Sequence, residues 1–350
     1  MGRGISPPAF LIYAMQLIKR PPRKESQLPA VSVKQFYERR NKVLVVRRIG
    51  GLGDILMHMM MFEDFKRLMP DMYLVYACPL GFHDVVKGHP FIDEIVDSAT
   101  VNVNDYPISF DTTNCCIRYE LGNCPDKVLK HRTDIWAEHC GVLCTKHNMH
   151  LKVPPDVAEW GKNKVKNLKG TAPAGPSVMF VPLSYDPHRS LQETQIRQVV
   201  DGLRAKGCFV YSAHTRPVNS LDVLKVPVVT DADVRQWLGL VDAADYVVTV
   251  DTSAFHAAGG LKKPQVGIFT YIDGYVRGQY YDFVLVQKHR YNGDWDCGPC
   301  FNWQACTKVK QMSPDSVMRP CLTEITGNMI MEGVDRMFER WPWKRPLTGR

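Results

Sequence analysis

No apolar run in these 350 residues approaches the ~20 that a membrane-spanning helix needs. The longest, residues 9–18, is about half that and contains Gln16. No small-residue cleavage site follows it, so a secretory leader is not expected. Neither glycine-rich turn of the chain has the G-x-G-x-x-G spacing, which argues against a nicotinamide-linked dehydrogenase. Most of the chain also lacks net charge. Residues 1–48 hold eleven Lys or Arg against Glu25 and Glu38, leaving 33 basic and 34 acidic side chains for the other 302 residues. The overall +8 therefore belongs to an N-terminal arm. A basic arm with one short apolar stretch suits an anionic membrane surface or a nucleic acid, and a solvated extension fits equally well. Eleven cysteines, an odd number, without a leader read as reduced thiols. The setting implied is cytoplasmic, with any membrane contact peripheral, at the inner face.

What is present is an ordinary globular composition, 45% apolar and 23% charged, long enough for two domains. Residues 43–46 are an apolar β-branched run that breaks into Gly50-Gly51-Leu52-Gly53-Asp54. Helix-period sequence follows over 55–68, then a strand at 72–77, a short helix at 81–87 and a strand at 92–96. Weaker strands are expected at 101–103 and 108–110, and a helix over 132–140. Residues 111–131 carry no clear pattern. The Gly/Pro-rich stretch 170–176 reads as a linker. After it strands (178–182, 207–212, 246–250, 265–269) alternate with helices (191–206, 234–242, 253–261), and a last helix spans 326–341. Alternation on both sides of the linker predicts two α/β domains with mostly parallel sheets, and a ligand where their carboxyl ends face each other.

Three strand-end loops carry chemistry. In the first, the glycines let the backbone turn and approach a ligand while the helix N–H groups point at it. Asp54 there has an ordinary alternative use, capping its helix. The second runs from Tyr246 to Asp251, then Thr252, Ser253 and His256, where hydroxyls and a helix N-terminus suit a diphosphate. The third holds Ser184 and Arg189. A capped helix with a core histidine explains the second loop alone; three such loops on two sheets point to one site.

Together these residues resemble glycosyltransferase family 9, the ADP-heptose:lipopolysaccharide heptosyltransferases, over roughly residues 42–340. The resemblance rests on Gly53-Asp54, Pro70-Asp71, the run from His89 to Val96, the Asp251-Thr252-Ser253-Ala254-Phe255-His256 motif with Ala257-Ala258-Gly259, and Lys263-Pro264 before a strand. It implies a GT-B fold, two Rossmann-like domains facing each other across a cleft. The divisions are a basic arm (1–41), an acceptor domain (42–169), a linker (170–177), a nucleotide-sugar domain (178–330) and a C-terminal helix and tail (331–350). It implies Asp54 as general base, with Gly51, Gly53, Ser184, Arg189, Asp251, Thr252, Ser253 and His256 around the donor. Ser253 stands where the family has Gly, and Asn219 lies near where an acidic ribose contact is expected.

The implied reaction is inverting transfer of heptose or a related sugar from a nucleoside-diphosphate donor, ADP-linked first, to a glycan such as lipopolysaccharide core. No cofactor is needed for that chemistry. Alternatives are the same reaction on a modified DNA base or a protein, or a non-catalytic nucleotide-sugar binder. Cys297, Cys300, Cys306 and Cys321, spaced C-x2-C-x5-C-x14-C, would suit structural zinc or an iron–sulfur cluster, though the spacing is not that of a standard ribbon and free thiols are the plainer reading. Cys140, Cys144, His147 and His150 form a second ligand-rich patch. Trp295, Trp303, Trp341 and Trp343 are candidates for an acceptor groove or for packing.

Overall fold

The computed structural model describes residues 41–47, 49–123, 128–171, 174–288, 299–301 and 319–343. Residues 1–40 of the basic arm, Cys297, Cys306, Trp295 and Trp303 lie outside them. Strands β1 (Lys42–Val46), β2 (Tyr73–Cys78), β3 (Glu94–Asp97) and β4 (Ile108–Asp111) form a parallel sheet in the order β3-β2-β1-β4. A second parallel sheet holds β5 (Ser177–Val181), β6 (Phe209–Ala213), β7 (Val228–Val229), β8 (Tyr246–Val250), β9 (Gln265–Phe269) and β10 (Val284–Gln287), in the order β10-β9-β8-β5-β6-β7. Counted from β5, that is the doubly wound order 3-2-1-4-5-6, and the first sheet carries its 3-2-1-4 part. The chain is thus an α/β protein with two Rossmann-like halves. Its central strands are buried on both faces, which is why 43–46 and 246–250 read as unbroken apolar runs rather than alternating ones.

Ten helices matter here: α1 (Leu52–Met59), α2 (Phe62–Leu68), α3 (Cys115–Asn123), α4 (Arg132–His139), α5 (Pro155–Lys169), α6 (Glu193–Ala205), α7 (Val234–Ala243), α8 (Ser253–Gly260), α9 (Gly274–Gly278) and α10 (Gly327–Arg340). The single helix expected over 55–68 is two, because Met60 and Met61 donate to Met57 and His58, three residues back, and tighten the turn. The strand expected at 101–103 is a short 3-10 turn at Val103–Asp105. The Asn102 side chain accepts from Asn104 N at 3.1 Å and so offers the backbone a local alternative to a ladder. α3 occupies the stretch that showed no pattern.

α5 had no counterpart in the sequence reading. It packs along α7 of the second half so closely that a Cβ on Gly161 would stand 2.2 Å from the Gly239 carbonyl oxygen. The Gly/Pro-rich stretch therefore joins a helix and a strand that both lie with the second half. α10 lies there too, its Ile330, Val334 and Met337 stripe entering the core under β8, β9 and β10. Trp341 and Trp343 pack at the edge of that same core. No described helix is long and apolar enough to cross a membrane.

Candidate active site

In each sheet the strand order reverses beside the first strand, between β1 and β4 and between β5 and β8. Ligands of doubly wound sheets bind outside the carboxyl ends of such switch points. Here the two switch points face one cleft of about 680 Å³. The first turns of α1 and α8 meet at its floor. A Cβ on Gly53 would stand 2.9 Å from His256 Cδ2 and 3.5 Å from Ser253 Cα. Gly53→Ala should therefore force the helices apart at a cost of about 1–3 kcal/mol. Urea unfolding measures this; an unchanged midpoint would mean that the contact yields freely.

Gly51, Gly53 and Asp54 line the cleft from one side, and Ser184, Arg189, Asp251, Thr252, Ser253 and His256 from the other. Asp54 does not cap α1, whose N-cap is Gly51 without a side-chain bond. Its carboxylate accepts instead from Arg132 Nη1 at 2.7 Å and Arg47 Nη2 at 3.1 Å. Burial alone would raise this carboxyl, but Arg132 and then Arg47 outweigh it and hold it well below the usual carboxylate range. Arg132 is itself anchored by Glu120 on α3, through Nε at 2.8 Å and Nη2 at 2.7 Å. Arg277 of α9, from the second half, reaches the same Glu120 at 3.0 Å. The Asp54–Arg132–Glu120–Arg277 chain of charges thus bridges the halves.

On the opposite wall Asp251, at the end of β8, accepts from Arg189 Nη1 at 3.0 Å. Arg189 Nε is buried without a hydrogen-bond partner, 3.6 Å from an Asp186 oxygen that Tyr271 already occupies. Thr252 is the N-cap of α8 but makes no capping bond with its hydroxyl, so that helix start keeps donors for a ligand. The Ser184 N–H is spent on Ser190 Oγ at 2.9 Å. His256 is buried, with Nδ1 3.1 Å from the Tyr281 hydroxyl. Burial holds its pKa down to about 3, so at neutral pH it offers a neutral ring, not a cation.

Sequence reasoning missed Arg47, Glu120, Arg132 and Arg277. Arg47 was counted with the basic arm, yet it is 3% exposed. Its Nη1 donates to Thr113 O at 2.6 Å and its guanidinium lies over Trp136. No spacing in the chain connects Glu120 to Arg277, 157 positions apart.

Of the C-terminal cysteines, Cys300 and Cys321 are described. Both pack against one apolar cluster containing Tyr271 and Phe301. The second patch comes apart. Cys140 is buried in the core, and His150 turns to Glu63 at 2.8 Å.

No protein-family model and no curated protein matches this sequence. Solved structures do. A glycosyltransferase family 9 structure from Veillonella parvula aligns at TM-score 0.64 and 11% identity, over 86% of this chain and 98% of its own. The E. coli ADP-heptose lps heptosyltransferase II aligns at 0.58 and 12%, over 85% and 99%. The heptosyltransferase TibC of enterotoxigenic E. coli, iron-containing and solved with ADP-D-β-D-heptose, aligns at 0.61 and 13%, over 86% and 77%. At these identities the likeness establishes the shared fold, two Rossmann-like halves facing each other as in GT-B glycosyltransferases.

Proposed function

We propose that this chain is a glycosyltransferase that moves a sugar from a nucleoside-diphosphate donor to a saccharide hydroxyl with inversion. The observation that carries the reading is the cleft itself. Asp54 lies on one wall, and the open N-terminus of α8 with Thr252, Ser253 and Arg189 lies on the other. The donor's diphosphate would sit against that helix start, where N–H groups and hydroxyls meet negative charge. The acceptor hydroxyl attacks the anomeric carbon from the face opposite the leaving diphosphate. As the new C–O bond forms, the hydroxyl proton passes to a carboxylate oxygen of Asp54, and the departing oxygen takes the electron pair of the broken bond. Arg189, with Arg132 and Arg277 nearby, neutralises the growing charge, so this chemistry does not require a metal.

A carboxylate clamped by two arginines is a weak base. Arg132 lines the cleft, and its turning from Asp54 toward an incoming diphosphate would raise the basicity of Asp54 as the donor arrives. The donor we favour is ADP-linked and the sugar heptose or a relative, on the shared fold and on the donor bound by TibC. A glycan such as lipopolysaccharide core is the favoured acceptor, in a cytoplasmic setting. The basic N-terminal arm keeps a nucleic-acid or membrane-associated acceptor in play, and salt-dependent DNA binding would favour the former. A structural metal at Cys297, Cys300, Cys306 and Cys321 is a separate proposal that rests on spacing alone.

A thermal-shift screen of nucleoside diphosphates and nucleotide sugars tests the site. A donor at a hundred times its Kd should add about 2.7 kcal/mol. The companion variant is Ser253→Asp, because a carboxylate on a helix's first turn suits the helix yet repels a diphosphate. The shift should vanish in the variant. An equal shift in both proteins would move the donor elsewhere, and no shift with any nucleotide would count against donor binding altogether.

A further inference from the structure

A second constellation, none of it among the residues that line the cleft, lies at α4 and the segment after it. Asp134 of α4 and Cys144 and His147 of the following segment bring a carboxylate oxygen, a sulfur and a ring nitrogen all within 4.8 Å of one another. His147 Nε2 is 2.7 Å from Asp134 Oδ1. We propose that these three side chains bind a divalent transition-metal ion of the zinc class, with a fourth position left to water.

The arrangement is built rather than incidental. Cys144 and His147 are spaced C-x2-H on a tight loop, and the His147 backbone N–H donates to the Cys144 sulfur. His147 holds a left-handed φ of 47°, costly for a residue with a Cβ, in a turn that leaves a ring nitrogen within 4.8 Å of the sulfur. Asp64 of α2 pins the loop between them. It accepts from the N–H groups of Thr145 and Lys146 at 2.7 and 2.8 Å and from the Thr145 hydroxyl at 2.8 Å.

The remaining two groups are fixed from outside, as ligands are in metal sites. The Tyr280 hydroxyl donates to the other Asp134 oxygen at 2.6 Å, and the Tyr280 ring stacks on His147 at 3.5 Å. The Cys144 thiol also donates to the Met60 carbonyl at 3.7 Å. Metal–ligand bonds of about 2.0–2.3 Å at tetrahedral angles put donor atoms about 3.3–3.6 Å apart, so small side-chain rotations close the set around an ion.

Loading is a proton exchange. The thiol gives its proton to solvent, and the ring proton moves by exchange with water from Nε2, where it faces Asp134, to Nδ1, so that the Nε2 lone pair is free for the ion. Tyr280 follows α9 on the second half while Asp134 belongs to the first, so the ion would brace the junction of the halves through its outer contacts. This inference stands independently of the proposed glycosyl transfer.

The test uses the full chain, stripped with a chelator and titrated with Zn²⁺ by calorimetry and with Co²⁺ by absorption. Wild type is compared with Cys144→Ser, His147→Gln and Tyr280→Phe. Because the C-terminal cysteines offer another set of thiols, the difference between proteins is the reading. Cys144→Ser and His147→Gln should each bind one equivalent fewer, and Cys144→Ser should lose sulfur-to-cobalt charge-transfer intensity. Tyr280→Phe should keep the stoichiometry and weaken affinity about 10–100-fold. Should Cys144→Ser not fold, His147→Gln decides, since Gln keeps a polar donor opposite Asp134 while removing the ring nitrogen. Equal stoichiometry and affinity in wild type and His147→Gln would overturn the proposal.

Discussion

Asp54→Ala should lower kcat by about 10²–10⁴-fold and leave the donor's affinity nearly unchanged. That is the range a positioned general base supplies, and the variant removes no group from the wall where the donor is placed. It also releases Arg132 and Arg47 from their shared carboxylate, so an anionic donor meets at least as much positive charge as before. Asp54→Asn keeps the shape and one of the two accepting oxygens but cannot take the proton, and it should fall nearly as far. Single-turnover transfer measured beside donor binding separates the two effects. Wild-type turnover by either variant would remove Asp54 as the base.

The second expectation concerns acid. His58, His89, His131 and His256 are each at most 5% exposed. Burial is the leading cause that keeps each of them neutral, His89 and His256 held down to about 3 and the other two well below the ordinary value. An unfolded chain protonates its histidines near 6.5, so below that pH the unfolded state binds protons that the folded state refuses. Stability is therefore full above about pH 7 and drains as pH falls from 6.5 toward the folded values. At pH 5.5 each histidine costs a little over 1 kcal/mol relative to pH 7, about 5 kcal/mol for the four. That is of the order of a whole domain's stability.

Denaturant unfolding at pH 7 and pH 5.5 measures the difference, and superimposable curves would show that these rings are hydrated in solution. The two expectations meet in the pH profile of activity. The carboxyl of Asp54 is held well below the usual carboxylate range, so it stays ionised as pH falls through 5.5. An acid limb of activity in that window should follow unfolding rather than titration of the base.

The sequence exposes whatever is written locally. Continuous β-branched runs declare strands buried on both faces, and β8 and β9 occupy the residues their runs define. The α1 and α8 starts follow from small residues and hydroxyls at strand ends, and their placement at two switch points follows from strand order. Failures come where two local signals compete or where a partner lies far along the chain. Asn102 wins its segment for a turn because its side chain bonds the backbone two residues on. α5 is polar over most of its length and declares itself only through its close fit on α7.

The site divides in the same way. Asp54, Ser184, Arg189, Asp251, Thr252, Ser253 and His256 are named by their loops, because a strand end, a turn and a helix start are contiguous in sequence. The groups that set their behaviour are not. The state of Asp54 depends on Arg132, 78 positions away, and Arg132 depends on Glu120, which Arg277 also holds from the other half. The Asp134–Cys144–His147 set shows half of itself in the C-x2-H spacing and takes its carboxylate from the preceding helix and its outer contact from Tyr280. Sequence by itself determined the two α/β halves and the strand-end loops that line the cleft, since periodicity and turn chemistry are local. The tertiary structure alone decided which charges face one another, because an electrostatic field is summed over distance in space and not along the chain.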